Sequence, residues 1–353
     1  MPLFYNNQRV AFVACRAHHI DVGGIQKGSM PPFSQNIDEE GFLLTHQLLH
    51  NGQSFETKNI DLSRSKQQDD VWADLQAQYS ACLYGIHNLR LLFDQMGIDV
   101  CVGQFNALLE HASKIAQQWM YKNVGTYKET EIIDGENEQI EMKVELNIQS
   151  DRGFLTIDAP QSIGNFNTPR AVVKAALLFV LRSVIDDDIP LNAGFLNAWT
   201  INVNEGGLCA PVEPHAVVAG NVETSQHIVD AIVRALGIQA SSQGTMNNLV
   251  FSSLEHGSSY ETIGGGAGAG KDRVGGSAVQ IHMTNTMATD IEVLEGRFPI
   301  RVLQWTTRKN SGGKGLYKGG DGLVKEWLFL KEMEVSLLAT RRNVPPKGLM
   351  GGG

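Results

Sequence analysis

Apolar residues recur every three or four positions in two long stretches of the chain, the spacing of one face of an α-helix. The first stretch, 69–96, ends at Gly97, a residue typical of a helix end. The second, 102–120, has its apolar residues on one face between Phe105 and Trp119. The pattern therefore predicts two consecutive long helices.

Two shorter helices are predicted further on. Residues 170–185 are almost wholly apolar and should form a buried helix, with Thr168 as its N-cap and Pro169 in its first turn. A second helix is predicted over 226–236 and is closed by Gly237, with Thr224 or Ser225 in a capping role.

Between these helices the period changes to two, which indicates strands. Segments 127–133 and 140–148 flank D-G-E-N at 134–137, a hairpin signal, and 154–157 is a further short strand. Residues 3–14 also read as strand around a polar turn at Asn6 and Asn7. We expect an α+β fold with long helices packed on a mixed or mostly antiparallel sheet. The acidic hairpin tip, like Glu39 and Glu40, is expected to be solvated.

Composition narrows the class of protein. The chain has 353 residues, of which 42% are apolar and 19% charged, as in an ordinary globular protein. Its net charge of −9 and the lack of a basic stripe argue against nucleic-acid binding. The longest apolar run, 175–181, is too short to span a membrane, and the first residues do not resemble a secretory signal. The four cysteines have no CxxC spacing, so we expect a reducing, cytoplasmic location.

The densest set of metal-capable residues is A-H-H-I-D-V-G-G-I-Q-K-G-S-M at 17–30. Imidazole and carboxylate groups suit a divalent metal such as Zn, Mn or Fe. In an extended segment His18 and His19 point to opposite faces, so one of the two would face a metal. Asp21 then shares a side with His19 or is redirected by the turn at 23–24. The alternative is a pair of core histidines beside a glycine turn.

A second candidate is G-G-A-G-A-G-K at 265–271, which matches the spacing of a phosphate-binding loop. The next residue is Asp272 instead of Ser or Thr. A carboxylate at this position would repel phosphates and would not replace the hydroxyl that holds magnesium. We therefore interpret 264–270 as a flexible loop near substrate or at an interface.

Several motifs in order give a resemblance over nearly the whole chain. They are A-H-H-I-D-V-G-G, G-S-M-P-P at 28–32, D-L-Q-A-Q at 74–78, G-N-V-E-T-S-Q at 220–226, S-Q-G-T-M-N-N at 242–248, Y-E-T-I-G-G-G-A-G-A-G at 260–270, and H-M-T-N-T at 282–286. S-G-G-K-G and G-G-D-G follow between 311 and 322. The chain thus resembles the hydantoinase B family, which includes the C-terminal half of ATP-dependent 5-oxoprolinase and the large subunits of acetone and acetophenone carboxylases.

The resemblance implies a hydrolase that opens a cyclic amide, 5-oxoproline or a hydantoin, in a hetero-oligomer. A hydantoinase A-like partner subunit would use the ATP, and the B part would hold a divalent metal. Carried over by motif, His18 is the metal ligand, and His19 and Asp21 orient it or act on substrate. Asn221, Thr245, Asn247 and Asn248 are the expected substrate-binding residues.

The same resemblance implies a single domain over 1–353 that is incomplete at both ends. Family members carry an H-x-x-D pair and another aspartate before the opening strand, and they continue past Gly353. Two alternatives stay open. One is a carboxylase subunit that joins bicarbonate to a ketone, and the other is a non-catalytic fragment that serves in assembly.

Overall fold

A four-stranded sheet forms the centre of the computed structural model, which describes residues 1–19, 21–26, 28–56, 60–65, 67–135, 137–253 and 255–353. Its strands, in spatial order, are β3 (Gly125–Asp134), β4 (Gln139–Ile148), β5 (Gly153–Asp158) and β6 (Trp199–Val203). The first three pair antiparallel, and β6 runs parallel to β5. Alternate residues of β4 from Ile140 to Ile148 are buried, so one face of the sheet carries the main core. The predicted hairpin is confirmed.

Two helices cover this core. Helix α4 (Arg170–Val184) buries one face, which includes Val173, Leu177 and Leu181, while its other face stays exposed. Helix α5 (Thr224–Ala235) is buried on nearly every side, which is unusual for a helix that also carries charged residues. Gly237 has a φ of +67° and ends this segment as predicted.

The two long helices also agree with the sequence pattern. Helix α2 (Gln68–Met96) and helix α3 (Ile98–Lys122) are separated only by Gly97, whose φ of +83° lets the chain reverse. The apolar face of α3 is only half covered, because Ala112 and Ile115 are buried whereas Leu108 is 45% exposed. The first hairpin, β1 (Pro2–Tyr5) and β2 (Gln8–Phe12), packs on these helices.

The C-terminal third builds smaller sheets. Strands β7 (Asn248–Ser253), β8 (Gly257–Thr262) and β11 (Glu334–Leu338) form an antiparallel sheet in the order β11, β7, β8. Strands β9 (Ile300–Arg308) and β10 (Gly322–Phe329) form a two-stranded ribbon. The short helices α1 (Ile37–Glu40) and α6 (Ile291–Arg297) complete the elements. The α+β expectation is confirmed, and none of the helices in the described ranges is long and apolar enough to cross a bilayer.

Local expectations about capping were wrong. Pro169, not Thr168, lies at the cap position of α4, and Thr168 is buried. Helix α5 begins at Thr224, and neither hydroxyl caps it. Instead, Thr224 donates to the Phe166 carbonyl, a tertiary acceptor, at 2.5 Å, and Ser225 donates to the Asn221 carbonyl four residues earlier at 2.6 Å.

Two acidic groups expected in solvent are also buried. Glu40 is 7% exposed and accepts backbone N–H groups of Val217 and Val218 at 2.8 to 3.0 Å. Asp134, at the hairpin tip, is 2% exposed. Glu136 of the same tip lies outside the described residues. In both cases the carboxylate accepts hydrogen bonds from a segment that is remote in sequence.

Candidate functional site

The motif at 17–30 follows β2 and places its three candidate side chains in different environments. His18 is exposed, and His19 is half-buried with its Nδ1 3.5 Å from a carboxylate oxygen of Asp74 on α2. Asp21 is 5% exposed, and its carboxylate accepts the Gly23 N–H at 2.9 Å and the Ser65 hydroxyl at 3.3 Å. Ile20 and Lys27 lie outside the described residues.

The glycines of this motif serve close backbone packing. A Cβ on Gly23, whose φ is +77°, would lie 2.6 Å from the Arg64 carbonyl carbon, and one on Gly24 would lie 2.6 Å from the Glu40 carbonyl oxygen. Neither position has room for a side chain. Close backbone packing therefore requires glycine at both positions.

A complete metal site needs about three protein ligands around one point. Among the described residues, no three His, Cys, Asp or Glu side chains are grouped closely enough to hold an ion. His18 is exposed and Asp21 already orders a turn through its hydrogen bonds. The described residues therefore do not form a complete site, and they supply at most part of a ligand set.

A cleft of about 960 Å³ lies in the C-terminal third. Its walls come from 237–247, 263–271, 308–325 and 337–353, so it combines the motifs S-Q-G-T-M-N-N and Y-E-T-I-G-G-G-A-G-A-G. Thr245 and Asn247, two of the predicted substrate-binding residues, line it. A cleft of this size accommodates a small-molecule ligand.

Glycine segments form one wall by packing backbone against backbone. A Cβ on Gly266 would lie 2.0 Å from the Gly320 carbonyl oxygen, and one on Gly268 would lie 2.0 Å from the Ala240 carbonyl oxygen. The Ala267 N–H donates to the Gly276 carbonyl at 2.9 Å. The loop is thus tightly packed, and the interpretation of 264–270 as a flexible loop does not agree with this packing.

The backbone hydrogen bonds of this loop show whether its N–H groups are free to bind a phosphate. The N–H of Gly265 donates to Val279, that of Gly268 to the Ser242 hydroxyl and that of Gly270 to Arg273. A phosphate-binding loop leaves such amides free and leads into a helix, whereas 271–273 continues as bends. The structure agrees with the argument against an ATP site here.

A buried ionic network lies behind the cleft wall. Glu131 of β3 is fully buried, with His227 Nδ1 at 3.0 Å, Arg234 Nη2 at 2.5 Å and Arg341 Nη1 at 2.8 Å. Burial by itself raises the pKa of Glu131, but the His227 hydrogen bond and the two guanidinium charges hold this pKa at about 2. Burial and the charge of Arg341 lower the pKa of His227, which favours its neutral form.

Glu223 holds Asn248, one of the predicted substrate-binding residues, together with two neighbouring groups. Its carboxylate accepts the Met246 N–H at 3.2 Å, the Asn248 amide at 2.9 Å and the Thr340 hydroxyl at 2.7 Å. Burial raises the pKa of Glu223 to about 7, although the hydrogen bonds from Thr245 and Thr340 oppose this shift. Glu223 thus fixes the two segments that lead into the cleft.

The four predicted substrate-binding residues therefore separate into two groups. Thr245 and Asn247 face the cleft, and Asn247 accepts a hydrogen bond from Arg342 at 2.9 Å. Asn248 is 1% exposed and uses both ends of its amide internally, with Tyr260 donating to its oxygen at 2.8 Å. Asn221 is half-buried near the start of α5 and is not among the residues described as lining the cleft.

A smaller cavity of about 270 Å³ adjoins the network. It is lined by His282 of the H-M-T-N-T motif, whose Nε2 lies 2.7 Å from an oxygen of the fully buried Asp230. Arg341 contacts the other Asp230 oxygen at 3.2 Å. His282 has a φ of +49°, a strained value for a residue with a Cβ. Asp230 therefore joins this cavity to the cleft wall.

Sequence reasoning missed these acids and bases, although one signal was present. Glu223, His227, Asp230 and Arg234 recur at spacings of three and four, which places them on one side of α5. Apolar residues occupy the intervening positions 228–229 and 231–233. Such a charged stripe in an otherwise apolar helix indicates buried partners on another element, and Glu131 and Arg341 are those partners.

The fold and this site define an α+β protein in which a glycine-walled cleft rests on a buried ionic network. The hydantoinase B/oxoprolinase family model matches residues 1–353. The chain belongs to the hydantoinase B/oxoprolinase family.

Two proteins of related sequence and one solved structure are similar to this chain. The chain is similar to 5-oxoprolinase 1 of Arabidopsis thaliana, with 40% identity over 99% of the chain and 30% of that protein. It is also similar to the 5-oxoprolinase of Dictyostelium discoideum, with 38% identity over 99% of the chain and 28% of that protein. The chain thus spans about three tenths of the length of these relatives. A nucleotide-free acetone carboxylase structure has a TM-score of 0.88 and 16% identity, over 99% of the chain and 51% of that protein, which shows a shared fold.

Proposed function

We propose that this chain is the hydantoinase B part of an ATP-dependent hydrolase that opens a cyclic amide, 5-oxoproline or a hydantoin. The observation that carries the proposal is the 38 to 40% identity to 5-oxoprolinases across 99% of the chain. Opening the ring breaks the amide C–N bond and adds the elements of water, so 5-oxoproline would give glutamate. A hydantoinase A-like subunit or domain would bind and use the ATP.

The proposal assigns roles to the motif at 17–30. His18 contributes one ligand to a divalent metal, Zn, Mn or Fe, and the remaining ligands lie beyond the described residues. His19, held near Asp74, and the buried Asp21 orient the segment that carries His18. The hydrogen bonds from Gly23 and Ser65 fix the Asp21 carboxylate, and this favours an orienting role.

Substrate contact is assigned to the cleft. The Asn247 side-chain amide is a polar group on its wall that can donate to or accept from an amide ring. The Thr245 hydroxyl is used internally, because it is hydrogen-bonded to Glu223 and accepts the N–H groups of Asn247 and Thr340, so Thr245 positions Asn247. Asn248 supports them through Glu223, whereas Asn221 accepts the Ser225 hydroxyl at its backbone carbonyl. We therefore propose direct substrate contact for Asn247 and a positioning role for Thr245.

The test uses the full chain together with a hydantoinase A-like subunit produced in the same cells. Glutamate and ADP are measured with 5-oxoproline, and the corresponding ring-opened product is measured with a hydantoin. We expect ATP-dependent product only when both subunits are present. An intact complex that turns over neither substrate would contradict the proposal, and bicarbonate-dependent consumption of a ketone would favour the carboxylase instead.

Matched histidine variants test the metal role. We expect His18→Ala to lose bound metal, by elemental analysis of protein purified without chelator, and to lose turnover. The control, His87→Ala, removes an exposed histidine of α2 and should keep both. Equal metal content in the two variants, at the level that wild type binds, would exclude His18 as a ligand, and no metal in wild type would contradict the proposed metal role of this chain.

A further inference from the structure

The smaller cavity of about 270 Å³ lies beside α4 and the end of α5, and every residue that lines it falls within 179–282. Its volume is just under the range of about 300 to 1,000 Å³ that is typical of small-molecule sites. Apolar side chains form much of its wall, namely Phe179, Val180, Val184, Val233, Ile238 and Ile281. The cavity therefore has room for a small ligand whose surface is largely apolar.

The ring of His282 is held at this cavity by a buried carboxylate. The His282 side chain is only 7% exposed, and its Nε2 lies 2.7 Å from an oxygen of Asp230, which is fully buried. The same oxygen accepts the Ser242 N–H at 3.0 Å, and the other oxygen lies 3.2 Å from Nη2 of Arg341. These contacts fix the carboxylate, and the carboxylate in turn fixes the imidazole.

The contact with Asp230 also decides which ring nitrogen can accept a hydrogen bond. An ionised carboxylate only accepts, so the hydrogen of the neutral His282 ring is on Nε2 and the free lone pair is on Nδ1. No group in the described parts of the chain donates to Nδ1, and Nδ1 is not one of the polar atoms buried from solvent without a partner. The cavity wall thus presents an oriented acceptor among apolar side chains.

Gln280, which lines the same cavity, carries a second acceptor. Its Nε2 donates to the Thr262 hydroxyl at 2.9 Å and to the Thr262 carbonyl at 3.3 Å. Because a carbonyl only accepts, these bonds set the orientation of the amide and leave Oε1 as its other end. Oε1 is buried and has no hydrogen-bond partner among the described residues. Two acceptors so close in the chain favour a ligand that donates over one that only accepts.

We propose that this cavity is a binding site for a small uncharged ring that carries an N–H donor, such as a lactam or an azole. The ring N–H donates to Nδ1 of His282, and the rest of the ring packs on the apolar wall. Phe179 offers an aromatic face nearby, since its ring centroid lies 6.2 Å from that of His282 at an angle of 71°. A carboxylate is a poor fit, because it would bring only acceptors to these acceptors.

This inference does not depend on the reaction proposed above. The cavity shares only Ser242 and Ala267 with the wall of the larger cleft, where Asn247 is proposed to contact substrate. Binding of a ring can be measured without ATP and without a partner subunit. A failure of 5-oxoproline turnover would leave the inference standing, and a failure of ring binding would leave the hydrolase proposal standing.

The test is an NMR titration of the full chain with two pairs of rings, each pair with and without the N–H donor. The lactam pair is 2-pyrrolidinone and N-methyl-2-pyrrolidinone, and the azole pair is pyrazole and N-methylpyrazole. One net hydrogen bond is worth about fivefold in affinity, so at least one N–H ring should bind wild type about fivefold or more tightly than its methylated form. The pair with the larger ratio identifies the source of the donor. Equal affinities in both pairs, or no binding of any ring, overturn the proposal.

Matched tryptophan variants on α4 test the location. Ser183 is exposed and lines the cavity, whereas Ala175 is exposed on the same helix and is not among the lining residues. Ser183→Trp should occupy the cavity and weaken binding of the N–H ring at least about tenfold. Ala175→Trp should bind within about twofold of wild type. Equal effects of the two variants would place the ring elsewhere and would overturn the proposal.

His282→Phe tests the acceptor. Phenylalanine keeps a ring at the wall but has no lone pair, so this variant should bind the N–H ring and its methylated form with equal affinity. A preference for the N–H ring as large as in wild type would overturn the role of His282. The wild-type ligand pairs and Ser183→Trp decide the proposal even where His282→Phe does not fold.

Discussion

A carboxylate oxygen of Glu131 lies 2.8 Å from Nη1 of Arg341, and neither side chain is more than 4% exposed. Glu131 belongs to the central sheet and Arg341 to the C-terminal segment that follows β11. The same guanidinium reaches Asp230 of α5 at 3.2 Å. One buried arginine thus links the central sheet, the buried helix and the wall of the cleft.

Removing this arginine should destabilise the fold. In Arg341→Met, Asp230 and Glu131 keep their burial but lose a cation, and unpairing a buried charge costs about 3 to 5 kcal/mol. We expect urea unfolding to show a loss of about 3 kcal/mol. The exposed Arg152→Met, which breaks a surface contact with Asp151, should cost less than about 1 kcal/mol. Similar losses in the two variants would show that the buried Arg341 contacts contribute no more to stability than a surface contact.

Glu223 should make the free energy of unfolding depend on pH. The pKa of this buried carboxyl is about 7 in the folded chain against an ordinary value of 4.5, so the folded state binds more protons between these values. Stability attributable to Glu223 is therefore fully present below pH 4.5 and is lost as pH rises towards 7. Wild type should lose stability relative to Glu223→Gln across that window.

The measurement is unfolding of both proteins at intervals from pH 4 to 8, read as the difference between them. Taking the difference removes the opposite contribution of Glu131, whose pKa of about 2 makes stability fall as pH drops below 4.5. Glu110→Gln, on the exposed surface of α3, controls for the loss of one charge. A pH-independent difference between wild type and Glu223→Gln would refute the assignment.

Asp134 should fasten the C-terminal segment. Its carboxylate accepts the N–H groups of Arg341, Arg342 and Asn343 at 2.7 to 2.8 Å, and that of Val344 at 3.3 Å. Burial raises the pKa of Asp134, but these amides outweigh burial and leave that pKa below its usual value. Asp134→Asn should cost about 1 to 3 kcal/mol and speed hydrogen exchange at 341–344.

The exposed change Asp151→Asn provides the comparison for Asp134→Asn, since Asp151 accepts from Arg152 at the surface. It should leave exchange at 341–344 as in wild type. Unchanged exchange in Asp134→Asn as well would mean that other contacts hold the segment.

Replacing glycine by alanine should change the free energy of unfolding in opposite directions at Gly320, in the cleft wall, and at Gly103, in α3. A Cβ at Gly320 would lie 1.8 Å from the Gly276 carbonyl oxygen, so Gly320→Ala forces two backbones apart and should cost about 2 kcal/mol or more. Gly103 lies within α3 with nothing within 4 Å of its Cβ position, so Gly103→Ala should stabilise by about 0.5 to 1 kcal/mol. Thermal unfolding of the two variants decides, and tolerance of Gly320→Ala would contradict the packing.

Local patterns predicted the elements well. The helical spacing in 69–96 and the alternation on both sides of 134–137 each describe interactions within a few residues, and both appear in the structure as α2 and the β3–β4 hairpin. Capping at Thr224 was wrong because a tertiary acceptor, the Phe166 carbonyl, takes its hydroxyl, and capping at Thr168 was wrong because Pro169 occupies the cap position. The metal site at 17–30 stays a prediction.

The sequence by itself determined the family, the long helices and the central hairpin, and it contained the unrecognised stripe of charges on α5. Only the tertiary structure decided which acids are buried and what they hold, because Asp134, Glu131 and Glu223 act on 340–344, a segment far away in the chain. The same is true of the glycine wall of the cleft. Hydrophobic spacing is a property of neighbouring residues, whereas the pairing of a buried charge depends on which distant segment folding brings against it.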